Sequence, residues 1–396
     1  MRYIFLTNMP TPYRTAFYDE LFRHGLNFEV YYMREREADR SWKVDTDCMK
    51  HPFRIDSGYY RMIGRYHLHF NPRLVIELLL RQSGVEIIIG GSWNDIDVLL
   101  LVLFKRLGIL KTRLHFWSEA NYLTIGSRDD NIVKKLLRSF VYNSSDGAQI
   151  SSGKMTEITF EKWGFQGKRF IPLPNTIEEE KYRISEEEVE LRYAEHDNPV
   201  FFMPMRLLEN IKGIVNFFMA IGVDNIRKGV FILAGDGPDE DLVRGFIREH
   251  GVEGHIRLLG FCDSDKVASL YKRASVFLLP SFSDASPLTL VEALIMRLPV
   301  LVSERCGNHF EAVVEGANGF RFDPFDHGSI RSAFESMLAA KERWRSMGEK
   351  SAELYRSTFQ REVVIENFIS ALTEFTAFGT GAKTSPTPSL PERRRA

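Results

Sequence analysis

Residues 276–324 read VFLLPSFSDASPLTLVEALIMRLPVLVSERCGNHFEAVVEGANGFRFDP, and this stretch decides the fold. Val276–Leu279 is a short apolar β-rich run that ends at Pro280–Ser281, where a polar loop begins. Ser286 followed by Pro287 has the cap-then-proline chemistry of a helix start, which predicts a helix from Leu288 to Leu298 that Pro299 stops. A second apolar strand follows at Val300–Val302. A helix start of this kind offers free N–H groups and partial positive charge, which together hold a phosphate. Leu288 and Thr289 supply those donors, with Ser286 at the cap. Glu292 lies five residues beyond Pro287, about 7.5 Å up the axis, within reach of ribose hydroxyls beside a bound diphosphate. Asp284 precedes the cap, so the D-x7-E pair can bracket a nucleotide-sugar, one carboxylate reaching the sugar and the other the ribose.

A diphosphate that leaves when a glycosyl bond breaks gains charge and needs cations. Arg206 and Lys212, in FFMPMRLLENIKGIVNFF (201–218), suit that need. Arg206 stands just after a strand at Val200–Met203, and Lys212 is expected in the loop before the next helix.

Working outward, the same strand–helix alternation fills the chain. Tyr3–Leu6, Phe28–Tyr32, Glu86–Ile89, Arg113–Trp117, Ala148–Ile150 and Arg169–Pro172 read as strands, with helices at Pro72–Gln82 and Ile96–Leu107. After an acidic stretch, Glu178 to Asp197, strands recur at Phe231–Ala234 and Ile256–Leu259, with helices at Ile214–Ile221, Glu240–His250 and Ser264–Arg273. This is the grammar of an α/β protein with two doubly wound, Rossmann-like domains facing across a cleft. The expected divisions are 1–183, 184–378 and a disordered tail at 379–396.

Lys+Arg number 52 and Asp+Glu 53 in 396 residues, which excludes the basic footprint of a nucleic-acid binder. The charge is nonetheless uneven, about +5 up to Arg183 and −6 beyond it. Arg14, Arg34, Arg36, Arg40, Arg54, Arg61 and Arg65 are interleaved with Tyr and Trp, a pattern that suits an anionic acceptor or a membrane surface, or an ordinary solvated face. Cys48, Cys262 and Cys306 have no metal or disulfide spacing. The apolar run Val98–Phe104 falls short of the ~18–20 residues that span a bilayer, and MRYIFLTNMP is too brief for a signal peptide's apolar region. A cytoplasmic protein is expected, with the inner face of the membrane as a candidate peripheral location.

Residues 200–376 resemble the C-terminal nucleotide-binding domain of glycosyltransferase family 4, the retaining group 1 enzymes of the GT-B fold. The resemblance rests on Arg206 with Lys212, the turn Gly235-Asp236-Gly237-Pro238, Leu259-Gly260-Phe261, Pro280-Ser281, Asp284 with Glu292, Pro299-Val300, Gly307 with Glu311, and Gly316 with Gly319. It implies that Arg206 and Lys212 neutralise the donor diphosphate, that Glu292 binds ribose, and that Asp284 contacts the transferred sugar. Family members usually carry Glu at the Asp284 position and often a second glycine where this chain has Asn308. Gly235 and Gly237 are candidates for ligand contact or simply for a tight turn after a strand.

In the N-terminal half the loop Asn8–Arg14 resembles a Pro-Tyr-Arg variant of the family's cleft loop, which makes Arg14 a candidate for an acceptor or donor phosphate. The alternative is an ion pair with Glu20 or Asp19. Trp93, in Gly90–Asp95, can stack on a sugar or cover its own loop. Glu119 stands near the family's cleft histidine and is a candidate to orient or deprotonate the acceptor hydroxyl, whereas His115 reads as a core residue. Asn175 matches the family's Pro-Asn junction and reads as structural.

The expected activity is transfer of a sugar from a nucleoside diphosphate donor to a hydroxyl of a glycan or lipid-linked acceptor, with retention. Arg206, Lys212, Asp284 and Glu119 are its catalytic candidates. No cofactor or metal is expected, since no D-x-D loop stands at a donor-site position. A nucleotide-sugar epimerase and a non-catalytic sugar-nucleotide binder are the alternatives.

Overall fold

The computed structural model describes residues 1–36, 45–63, 66–123, 132–194 and 198–378. Arg40, Arg65 and the 379–396 tail lie outside the described residues. Among those described, seven parallel strands form the first sheet. They are β1 (Arg2–Thr7), β2 (Phe28–Tyr32), β3 (Phe53–Ile55), β6 (Val85–Ile89), β7 (Leu114–Ser118), β8 (Gln149–Ser151) and β9 (Phe170–Pro172), in the order β3-β2-β1-β6-β7-β8-β9. The intervening β4 (Tyr59–Ile63) and β5 (Tyr66–Phe70) pair as a separate antiparallel hairpin. The second sheet holds β10 (Val200–Pro204), β11 (Val230–Ala234), β12 (Ile256–Leu258), β13 (Val276–Leu279), β14 (Val300–Ser303) and β15 (Gly319–Phe322), ordered β12-β11-β10-β13-β14-β15 and parallel throughout.

Both sheets are covered on two faces, which is why their strands are continuous apolar runs. In β1 every residue from Tyr3 to Thr7 is buried, and Phe5 pairs with Val30 on one side and Ile88 on the other. Helices close the faces with one apolar stripe each, as Val243, Phe246 and Ile247 do in Glu240–His250. The strand order reverses between β1 and β6 and between β10 and β13, so the ligand-binding crevices of both sheets fall at those points.

The final helix, Arg361–Phe378, leaves the second sheet and packs on the first. Its Val364, Ile365, Phe368 and Leu372 are buried in one cluster with Phe17, Trp117 and Leu173. Where the chain crosses back, Glu179 Oε1 accepts from Tyr355 Oη and from the Arg361 N–H, both at 2.7 Å. No helix among the described residues is long and apolar enough to cross a membrane.

Three local expectations are corrected. The helix after β13 runs Leu288–Ile295, with Pro287 as its cap and no side-chain cap from Ser286. Its end is set before Pro299 by a left-handed turn. Arg297 has φ 57°, its N–H bonds to Leu294 O, and the Leu298 N–H reaches back to Ala293 O. Lys212 does not lie in a loop but ends the short helix Glu209–Lys212, which Gly213 terminates at φ 59°.

Arg192 has no counterpart in the sequence reading. It is 4% exposed and donates to the carbonyls of Tyr271 (3.0 Å), Lys272 (3.2 Å), Met296 (2.9 Å) and Arg297 (3.1 Å). One cation thus closes the C-terminal ends of Ser264–Arg273 and Leu288–Ile295 together.

Candidate active site

The Leu288–Ile295 helix opens at the C-terminal end of β13, and its Leu288 and Thr289 N–H groups have no acceptor among the described residues. The preceding loop is fixed by backbone bonds. Asp284 O accepts the Gly307 N–H at 2.9 Å, and Ile211 O accepts those of Phe282 (2.8 Å) and Ser283 (3.2 Å). The last pair brings Lys212 alongside, where its Nζ meets Asp284 Oδ2 at 2.6 Å. Two candidates read separately from the sequence are therefore direct partners, each side chain a little under one-fifth exposed (18% and 19%). Gly307 must be glycine, because a Cβ there would sit 1.8 Å from Ala285 O. Asn308 is buried, and its Nδ2 donates to Pro287 O at 3.0 Å, bracing the helix start.

Arg206 is exposed on the turn between β10 and Glu209–Lys212. Gly235 and Gly237 support this turn: a Cβ on either would lie 2.1 Å from the carbonyl oxygen of Met205 or Leu207, respectively. Their requirement for glycine is thus met by close backbone packing beneath Arg206.

Glu292 occupies the face of its helix turned to Tyr182 and Tyr271. Tyr271 Oη lies 2.8 Å from Thr289 O and 3.0 Å from Glu292 Oε2, and one hydroxyl proton cannot serve both. Burial pushes the carboxyl pKa above its ordinary value, and the bonds from Tyr182 and Tyr271 offset that only in part. The stability linked to this group is therefore complete below the ordinary carboxyl range and is lost as pH rises through the raised value. Glu292→Gln is expected to melt above the wild type at about pH 8 and level with it at about pH 4. Melting curves that keep the same gap at both values would contradict the shift.

Across the cleft, a cavity of about 540 Å³ opens at the ends of β1, β6 and β7, within the size range of small-molecule sites. Trp93, Trp117, Tyr13, Arg14, Glu119 and Asn8 are among its lining residues. Arg14 does not pair with Glu20 or Asp19. It donates to Gly90 O (2.7 Å) and Glu119 Oε1 (3.3 Å) and lies 4.2 Å above the Trp117 ring. Asn175 Nδ2 donates to the same Glu119 oxygen at 3.2 Å. Asn175, read as a structural junction residue, thus braces Glu119. His115 is a core residue: its Nδ1 accepts the Ala148 N–H at 3.0 Å, so Nε2 carries the proton toward Glu86 at 2.9 Å.

The two sides meet at Asn121, whose Nδ2 reaches Arg305 O at 3.1 Å and Asp284 O at 3.5 Å. Arg305 Nη1 returns a bond to Leu123 O at 3.1 Å.

The architecture matches HepE from Anabaena, solved in complex with UDP, with a TM-score of 0.71 over 94% of this chain and 100% of that one at 15% identity. The fold is GT-B. Within the GT-B frame, residues 186–354 match the family model described as glycosyl transferases group 1. The chain is 39% identical over 94 residues to alpha-monoglucosyldiacylglycerol synthase from Acholeplasma laidlawii, which is 24% of this chain and 23% of that protein. It is 24% identical over 248 residues to N-acetyl-alpha-D-glucosaminyl L-malate synthase from Bacillus anthracis, 63% of this chain and 61% of that one. The chain spans less than two thirds of the length of the curated relatives it matches. The stretch that matches the family model contains Arg206, Lys212, Asp284 and Glu292.

Proposed function

We propose that this protein is a retaining glycosyltransferase that moves a sugar from a nucleoside diphosphate donor to an acceptor hydroxyl. The observation that carries the reading is the Lys212–Asp284 pair, held at 2.6 Å beside an uncapped helix start. The N–H groups of Leu288 and Thr289 take the diphosphate, and Lys212 and Arg206 balance the charge it gains as the glycosyl bond breaks. Asp284 turns from Lys212 to the hydroxyls of the sugar. Glu292 takes the ribose, whose hydroxyls favour its ionised form over the neutral form that burial favours.

The acceptor enters the cavity beside Glu119, which Arg14 and Asn175 hold in place and which orients the attacking hydroxyl. Attack comes on the face the diphosphate leaves, and the departing phosphate oxygen takes the hydroxyl proton. No protein nucleophile is involved, and protein cations and backbone N–H groups meet the charge in place of a metal. The family resemblance supports this stereochemistry, and assembly of surface glycans or glycolipids is the setting it suits.

A thermal-shift series with UDP, GDP and ADP tests the donor side. One of them is expected to stabilise the protein by about 2.7 kcal/mol at a hundredfold excess over its dissociation constant. No shift with any of the three would sink the reading.

A further inference from the structure

Glu311 belongs to the second domain, on the short helix His309–Ala312 one turn beyond Gly307. Its Oε1 accepts the backbone N–H of Lys154 at 2.6 Å, at the first residue of Lys154–Lys162 in the first domain. Gly153 caps that helix with φ 155°, and a Cβ there would stand 2.8 Å from Glu311 Oε1. The carboxyl therefore fits into a notch that only glycine leaves open. The other oxygen, Oε2, is buried without a hydrogen-bond partner. Burial pushes the carboxyl up to about 7, against the bond from Lys154.

Both ends of the contact lead to the cleft. On one side, the Gly307 N–H binds Asp284 O at 2.9 Å, so the loop that ends in Glu311 is the loop that holds Asp284. On the other, Thr159 Oγ1 of the Lys154–Lys162 helix accepts the Tyr122 N–H at 3.1 Å. That fixes the segment from which Asn121 reaches Arg305 O. The same segment follows directly from Glu119.

We infer that Glu311 is a positioning residue that docks one domain on the other and so sets the gap between Glu119 and Asp284. The inference rests on the donor and acceptor sides proposed above. Without the dock, the nucleotide binds as before but the acceptor hydroxyl stands too far from the sugar carbon.

The test uses the full chain. Glu311→Ala is expected to lower kcat at least about tenfold while leaving the dissociation constant of UDP, GDP or ADP, whichever binds, within about twofold. Glu311→Gln keeps an acceptor oxygen for the Lys154 N–H and is expected to stay within about threefold of wild-type kcat. Small-angle scattering with the nucleoside diphosphate bound should give a larger radius of gyration for the Ala variant alone. The inference is overturned if Glu311→Ala turns over normally, if Gln is as impaired as Ala, if nucleotide affinity falls along with kcat, or if the Ala variant scatters like the wild type. The scattering comparison needs no turnover, and a wild type that binds no nucleoside diphosphate would overturn the proposed function instead.

Discussion

Lys212→Ala is expected to lower turnover at least tenfold, or about 1.4 kcal/mol of transition-state stabilisation, while the protein melts cooperatively as before. The argument is electrostatic. Lys212 is a cation already withdrawn from water, 18% exposed, and held by the turn that Ile211 ties to Phe282 and Ser283. A charge fixed in advance where a leaving diphosphate becomes more negative acts without reorganisation at the moment of bond breaking. Its removal also leaves Asp284 as an uncompensated carboxylate facing that same anion. Glu292→Ala is expected to produce a loss of similar size through the ribose, with the Tyr182–Tyr271 wall left standing. Steady-state rates with the donor found by thermal shift decide the matter. Near-normal turnover in both variants would remove the donor site from this helix start.

Arg192→Met is expected to cost about 2–4 kcal/mol of folding stability, because several carbonyls lose bonds to a charged donor at about 1–3 kcal/mol each. Methionine retains most of the buried stem, so the loss reports the hydrogen bonds more than a cavity. The carbonyls of Lys272, Met296 and Arg297 would lose the guanidinium bonds, and that of Tyr271 would keep only the Ala274 N–H at 3.3 Å. Each buried acceptor left unpaired costs about 1–3 kcal/mol, and neighbouring ones relax together, so the sum is less than additive. Denaturant titration measures this directly. A loss under about 1 kcal/mol would show that water replaces the guanidinium with little penalty.

The fold was legible because parallel strands buried on both faces leave long apolar signatures, as in Val276–Leu279 and Phe28–Tyr32, whose predicted bounds coincide with the observed ones. Half-buried and short elements left weaker traces. The β4–β5 hairpin has Tyr59 and Met62 exposed among polar neighbours, and β3 has three residues, too few to show a period. The end of Leu288–Ile295 was misplaced because the visible breaker, Pro299, lies beyond the actual one, and an arginine at positive φ carries no signal in composition. In the site, residue types and spacing singled out Lys212 and Asp284 but could not show that they touch. Arg14 and Glu119 were likewise picked out apart, 105 positions from each other, and only the adjacency of β1, β6 and β7 brings them together. Contacts made between domains, such as Asn121 with Arg305 and Glu311 with Lys154, depend on how two sheets face each other, which no local window contains.

The helix Arg361–Phe378 shapes the protein's biosynthesis as well as its architecture. Val364, Ile365, Phe368 and Leu372 complete the interior around Phe17 and Trp117, yet in the chain they come after every strand of the second sheet. The first sheet therefore keeps an uncovered apolar groove until the chain beyond the second sheet has been made, and the two halves mature as one unit rather than in succession. A gene divided between the sheets would yield a leading fragment with a sticky flank and a trailing fragment whose final helix has nothing to lie against.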